Sequence, residues 1–137
     1  MTGVIWFVQL IQYPGFARVD SARFADFHAF HSTRISLIVA PLMLVEAMSA
    51  VVLVWRPESF IPSWEAWVGL GLVGVIWAST ALLQVPMHRR LGDGFDESAW
   101  RFLCNGNWVR TVSWSLRALL VSVWLHRALE DVGRLAG

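Results

Sequence analysis

Residues 20–55 read DSARFADFHAFHSTRISLIVAPLMLVEAMSAVVLVW. The first third carries His28 and His31, with Arg34 just after. The last two thirds is an apolar run of membrane-spanning length with one acid, Glu46, inside it. Residues three apart share a helix face, so His28 and His31 can point the same way. Asp20 or Ser21 is placed to cap a helix that runs on into a span over about 33–55. Pro41 lies inside that span, where neighbouring helices can satisfy the carbonyl it frees.

The rest of the chain has the composition of a membrane protein. Of its 137 residues 56% are hydrophobic, nine are tryptophan and 15% are charged, against the roughly 25% charged usual in soluble domains. The length suits one domain. A net charge of +1 gives no basic patch for nucleic acid. All eleven basic residues are arginine, which fits the codon usage of a GC-rich genome. The single cysteine, Cys104, excludes an internal disulfide and any cysteine-based metal cage. No signal peptide is visible, since a basic start and a small-residue cleavage site are both missing.

Working outward, residues 3–16 form a first apolar segment, about 21 Å long as a helix against a hydrocarbon core of about 30 Å. It reads as a span with a short outer end, or as one whose start lies upstream of Met1, and Pro14-Gly15 would kink or end it. Arg56-Pro57-Glu58 to Pro62-Ser63 marks a short connection. A third span covers about 64–86, and its Gly69, Gly71 and Gly74 suit close helix packing. Residues 87–106 form a second large loop with a turn at Gly92-Asp93-Gly94. Within it a short helix starts at Asp96 and is ended by Asn105-Gly106. A fourth span covers about 107–126, and the tail from Arg127 frays. The expected fold is therefore all-α: one four-helix transmembrane bundle over 1–137, with short interfacial helices in the loops on one side.

Four spans put the 17–32 and 87–106 loops on one face of the membrane. His28, His31 and His88 then emerge together, with Asn107 and Arg110 opening the fourth span beside them. That side carries Arg18, Arg23, Arg34, Arg89, Arg90, Arg101 and Arg110, while the other carries Arg56, Arg127 and Arg134. The positive-inside rule places the histidine side in the cytoplasm.

Three uses are open to the histidines. They can ligate a transition metal such as copper, iron or zinc at a three-imidazole site. They can be polar residues satisfied by water, headgroups or an acid. They can also act as acid–base groups without a metal, since imidazole titrates near neutral pH. Arg110, with Asn107 and Gln84 or His88, can hold an anionic or carbonyl-bearing ligand, or snorkel to lipid phosphate. Gln9 and Tyr13, four residues apart, can line the same cavity or serve as interhelical hydrogen bonds. Arg117 and Glu46 lie at similar depth, roughly 15 and 20 Å from the histidine side at 1.5 Å per residue. They are expected to form an ion pair between the second and fourth spans. His126 reads as a helix-end residue.

The stretches WFVQLIQYP, HAFHSTRISLIVAPLMLVE, VPMHRRLGDGFD and NWVRTVSWSLR together resemble a family of small bacterial four-span integral membrane proteins of unassigned function. That family is distantly similar to the anthrone-oxygenase-like membrane proteins, which oxidise a polyphenolic anthrone with dioxygen. The resemblance implies a bacterial inner-membrane oxidoreductase or oxygenase acting on a hydrophobic small molecule. His28, His31 and His88 would abstract a proton, and Asn107 and Arg110 would steady the enolate. The cofactor is unknown: a histidine-bound metal or none. The alternative is a non-enzymatic membrane subunit, self-associating or part of a larger complex. A small transporter using Glu46 and Arg117 is the third reading, and it is disfavoured by the apolar far halves of spans two and four.

Overall fold

The computed structural model describes residues 1–56 and 58–136; Pro57, one of the prolines read as marking a connection, lies outside them, as does Gly137 at the end of the tail. All regular structure among the described residues is helical. The chain forms four rods. The first is α1 (Thr2–Phe7), a π turn (Val8–Gln12) and α2 (Tyr13–Phe16). A 3₁₀ turn (Ser21–Arg23), capped by Asp20 whose Oδ1 accepts from the Ala22 N–H at 2.8 Å, leads into α3 (Phe24–Trp55). The third rod is α4 (Ser63–Ser79), a second π turn (Thr80–Gln84) and α5 (Val85–Gly92). The fourth is α6 (Glu97–Ala136), opened by Asp96, whose Oδ1 accepts from the Ala99 N–H at 3.0 Å.

Both π turns stand just before a proline, Pro14 or Pro86. At each, an N–H reaches back five residues instead of four: Tyr13 to Val8 O and Val85 to Thr80 O. A proline in an α-helix removes one donor and its ring clashes with the carbonyl four residues back. The extra residue in the turn widens the helix where that clash would fall. Pro41, by contrast, sits within unbroken α3.

The fourth rod differs from its sequence reading. Asn105-Gly106 does not end a short helix, because α6 is continuous from Glu97. Gly106 serves packing instead: a Cβ there would stand 3.4 Å from Gln84 Nε2 and within 4 Å of Leu83, so the bare backbone lets α6 lie against the second π turn. Nor does the chain leave the helix at Arg127. Glu65, buried at the start of α4, accepts from Arg127 Nη1 and Nη2 at 2.8 and 3.0 Å and from Trp124 Nε1 at 2.7 Å, and α6 runs on to Ala136. His126 is thus mid-helix, exposed and 3.3 Å from Glu130. Of the three glycines expected to favour close packing, only Gly69 does. A Cβ there would meet Arg117 Nη1 and Trp124 at 3.1 Å, whereas Gly71 and Gly74 face open space.

α6 is the spine. The first rod runs antiparallel along it, from the Trp100 Nε1 bond to Tyr13 O (2.8 Å) to the Thr2 Oγ1 bond to Trp114 O (3.3 Å). α4 lies antiparallel on its other flank. α3 packs on α4 and α5 and leaves a gap toward the first rod. Two helical stretches, Ser21–Trp55 and Ser63–Gly92, are long and apolar enough to cross a membrane. Only 11% of the most apolar window of the first is buried, so its side chains point outward rather than into a core. The first rod is shorter, and α6 carries a buried polar stripe through Asn107, Arg110, Thr111, Ser113 and Arg117.

Candidate functional site

The gap between the first rod, α3 and the third rod is a cavity of about 570 Å³, within the range of small-molecule sites. Its walls are apolar, with Ile5 and Val8 on one side, Ile35, Val39 and Met43 on α3, and Trp77 opposite. Its polar lining comes from Tyr13, His28, His31, Gln84, His88 and Arg110, with Ser32, Ser36, Thr80 and the exposed Arg89 besides. The cavity is thus a greasy channel that stops at a small polar chamber.

The π turns set that chamber. Tyr13 directly follows the first and Gln84 closes the second, with His88 one turn further along α5. The Tyr13 hydroxyl lies 3.1 Å from His88 Nε2 and 3.4 Å from Gln84 Oε1. On its other side His88 Nδ1 is 2.9 Å from His28 Nε2. The result is an unbroken chain, Gln84–Tyr13–His88–His28. Phe16, fully buried, packs edge-on against His28 and His31, with ring centroids 5.7 and 5.1 Å away. The His31 ring stacks near His88 at 6.3 Å.

Burial holds all three imidazoles below their ordinary range. His28 is lowered by desolvation. His31 falls to about 4, through desolvation and then the nearby His28. His88 falls to about 3, through desolvation, then His28, His31 and Arg110. At neutral pH each ring is uncharged and carries one donor and one acceptor nitrogen. Two proton arrangements then satisfy the chain. Either Tyr13 donates to Gln84, His88 Nε2–H to Tyr13 and His28 Nε2–H to His88, or Tyr13 donates to His88 Nε2 and His88 Nδ1–H to His28. Passing from the first to the second takes up one proton at His28 Nδ1 and releases one from the Tyr13 hydroxyl, so the chain relays a proton only when a donor stands at one end and an acceptor at the other.

Arg110 borders the same chamber, beside Tyr13. Its Nη1 donates to Asn107 Oδ1 at 3.2 Å. Asn107 is fully buried and faces away from the cavity. Its Nδ2 donates to Gln9 Oε1 at 2.9 Å, and Thr111 Oγ1 reaches the same oxygen at 3.3 Å. Gln9 in turn donates to Cys104 O at 3.1 Å. Asn107, read as a ligand-holding residue, is therefore a prop that orients Arg110, and Gln9 takes the interhelical hydrogen-bonding role of the two left open for it. The Cys104 thiol, pushed up to about 11 by burial, is no nucleophile at neutral pH.

Of the sequence-predicted residues, the structure gathers His28, His31, His88 and Arg110 around one chamber, with Asn107 behind it. Among the described residues no three histidine, cysteine, aspartate or glutamate side chains are arranged to hold a metal ion; the facing nitrogens of His28 and His88 share a hydrogen bond. Away from the chamber, Arg117 Nε donates to Glu46 Oε2 at 2.8 Å and Nη1 to Gly69 O at 3.1 Å. The sequence reading gave Glu65 no role. Its signal was an acid between Trp64 and Trp67 at the head of an apolar run, which calls for a buried cationic partner. No known protein family matches the chain, and no curated protein or solved structure matches it either.

Proposed function

We propose that this chain is a four-span membrane protein that binds a hydrophobic small molecule in the α3 cavity and performs proton-transfer chemistry on it, in the manner of an oxygenase-like oxidoreductase. The observation that carries the reading is the apolar cavity ending at the neutral Tyr13–His88–His28 chain with a buried arginine beside it. A neutral imidazole has a free nitrogen to accept a proton, and because burial also weakens it as a base, the C–H or O–H it deprotonates must be strongly activated. The negative charge left on the substrate oxygen falls near Arg110, whose fixed donors stabilise it. The electron-rich enolate or phenolate so formed is then open to oxidation by dioxygen, which is itself apolar and partitions into such a cavity. The histidine end faces the cytoplasm of a bacterial inner membrane, following the arginine distribution.

The proton step and the oxidation are separable by experiment. Wild-type protein in D₂O should place deuterium at the α-carbon of a hydrophobic ketone such as 2-tetralone, and should consume dioxygen with an oxidisable hydrophobic phenol. Tyr13→Phe keeps the ring packing but cuts the chain, and should lower both rates by about 10²-fold or more. Equal exchange by wild type, Tyr13→Phe and protein-free detergent would leave a non-enzymatic membrane subunit.

A further inference from the structure

α6 carries three arginines on its buried side, and they are not treated alike. Arg117 is paired with Glu46, and Arg127 with Glu65. Arg110 has no carboxylate within ion-pair distance among the described residues, although it is only 5% exposed. A guanidinium stays charged at any accessible pH, and an unpaired buried charge is costly. The Arg110 Nε has no acceptor at all, and neither does Nε2 of Gln84, a side chain 2% exposed. Both side chains line the cavity. A buried cation without an anion thus borders the polar end of one apolar space, with the Gln84 amide, whose Nε2 lies against Gly106, beside it. The donors call for an oxygen acceptor, and the unpaired guanidinium for one that carries negative charge.

The shape of the space adds a second constraint. Its α3 wall extends from His28 to Leu44, about 24 Å at 1.5 Å per residue. It is therefore long and narrow for its volume.

We propose that the resident ligand is a single-headed hydrophobic acid, whose carboxylate pairs with Arg110 and Gln84 while its chain lies along α3. The edge of a guanidinium that includes Nε takes a carboxylate through two parallel bonds, and Asn107 holds Arg110 by its Nη1. An acid head at this point puts the carbons next to it beside Tyr13 and His88. The inference rests on the reading of the cavity as a ligand site and narrows it to one chemical class, and it gives Arg110 to the bound carboxylate instead of to an oxyanion formed by deprotonation.

The test uses the whole protein in a non-ionic detergent and a scintillation proximity assay with tritiated dodecanoate, competed by methyl dodecanoate and by dodecan-1-ol. Dodecanoate should bind near 1:1 and at least tenfold more tightly than either neutral analogue. Arg110→Gln should weaken dodecanoate at least tenfold and the ester far less, so that the preference disappears. Should that variant fail to fold, Gln84→Met serves in its place and should cut the preference about threefold or more. Ester and acid binding equally would overturn the acid assignment while leaving the cavity a ligand site. Binding of none of the three would overturn the cavity reading and the acid with it.

Discussion

Tyr13 is the side chain on which the chamber turns. Its hydroxyl joins α5 to the π turn before it, its carbonyl takes Trp100 from α6, and its ring lies 5.6 Å from those of Phe16 and His88. Around it, the buried histidines make stability depend on pH in a calculable direction. A histidine whose folded pKa lies below the ordinary 6.5 resists the proton that the unfolded chain accepts. Its contribution is complete above about pH 6.5 and is lost as pH falls toward the folded value, about 4 for His31 and about 3 for His88. The slope per group is at most about 1.4 kcal/mol per pH unit. Thermal unfolding in detergent should therefore be flat above pH 7 and fall steadily from 6.5 to 4, and His88→Leu should flatten that fall. Asp96, held down to about 2 by the Ala99 N–H and the Ser98 hydroxyl, titrates in a lower window and does not contribute there. A pH-independent midpoint from 7 to 4 would show that the rings are not desolvated.

Between elements, the decisive ties are ionic. The Glu46–Arg117 contact joins α3 to α6, and the Gly69 carbonyl adds α4 to the same guanidinium. Removing Glu46 leaves Arg117 as an uncompensated buried charge, at a cost of about 3–5 kcal/mol, whereas Glu46, whose side chain is 32% exposed, costs less when left alone, and replacing both by apolar groups costs less still. Glu46→Leu should lower the melting temperature sharply and Arg117→Leu less so, and the double variant should recover most of the Glu46→Leu loss. Equal damage from single and double variants would show that the two side chains act independently. This pair was legible because an acid and a base inside apolar runs each demand a partner, and depth along a helix follows from counting residues. The convergence of His28, His31 and His88 was legible for a similar reason, since alternating rods return to the same end. The continuity of α6 through Asn105-Gly106 was not. A glycine after a short amphipathic stretch reads as a stop, and only the Gln84 side chain lying against it shows that close approach was the requirement. The cavity was not legible either, because it depends on where α3 fails to touch the first rod.

At the scale of the whole molecule, the polar groups of the bundle turn inward while α3 shows apolar side chains outward along most of its length. The membrane placement built on this makes a direct prediction. With Cys104 replaced by serine, single cysteines at Ser59 and Asp93 should be labelled by a membrane-impermeant maleimide from opposite faces of oriented vesicles, Asp93 from the cytoplasmic one. Labelling of both from one face would remove the four-span arrangement and require the rods to lie otherwise. The gap that makes the cavity has a further effect on that placement. Its walls include Val4 and Val8 on one rod and Val39 and Leu44 on the other, so in the proposed membrane placement a greasy solute would arrive sideways from among the acyl chains without crossing water. Occupancy then follows the solute's mole fraction in the lipid. Diluting a vesicle suspension with buffer leaves the site as full as before, whereas adding empty vesicles drains it.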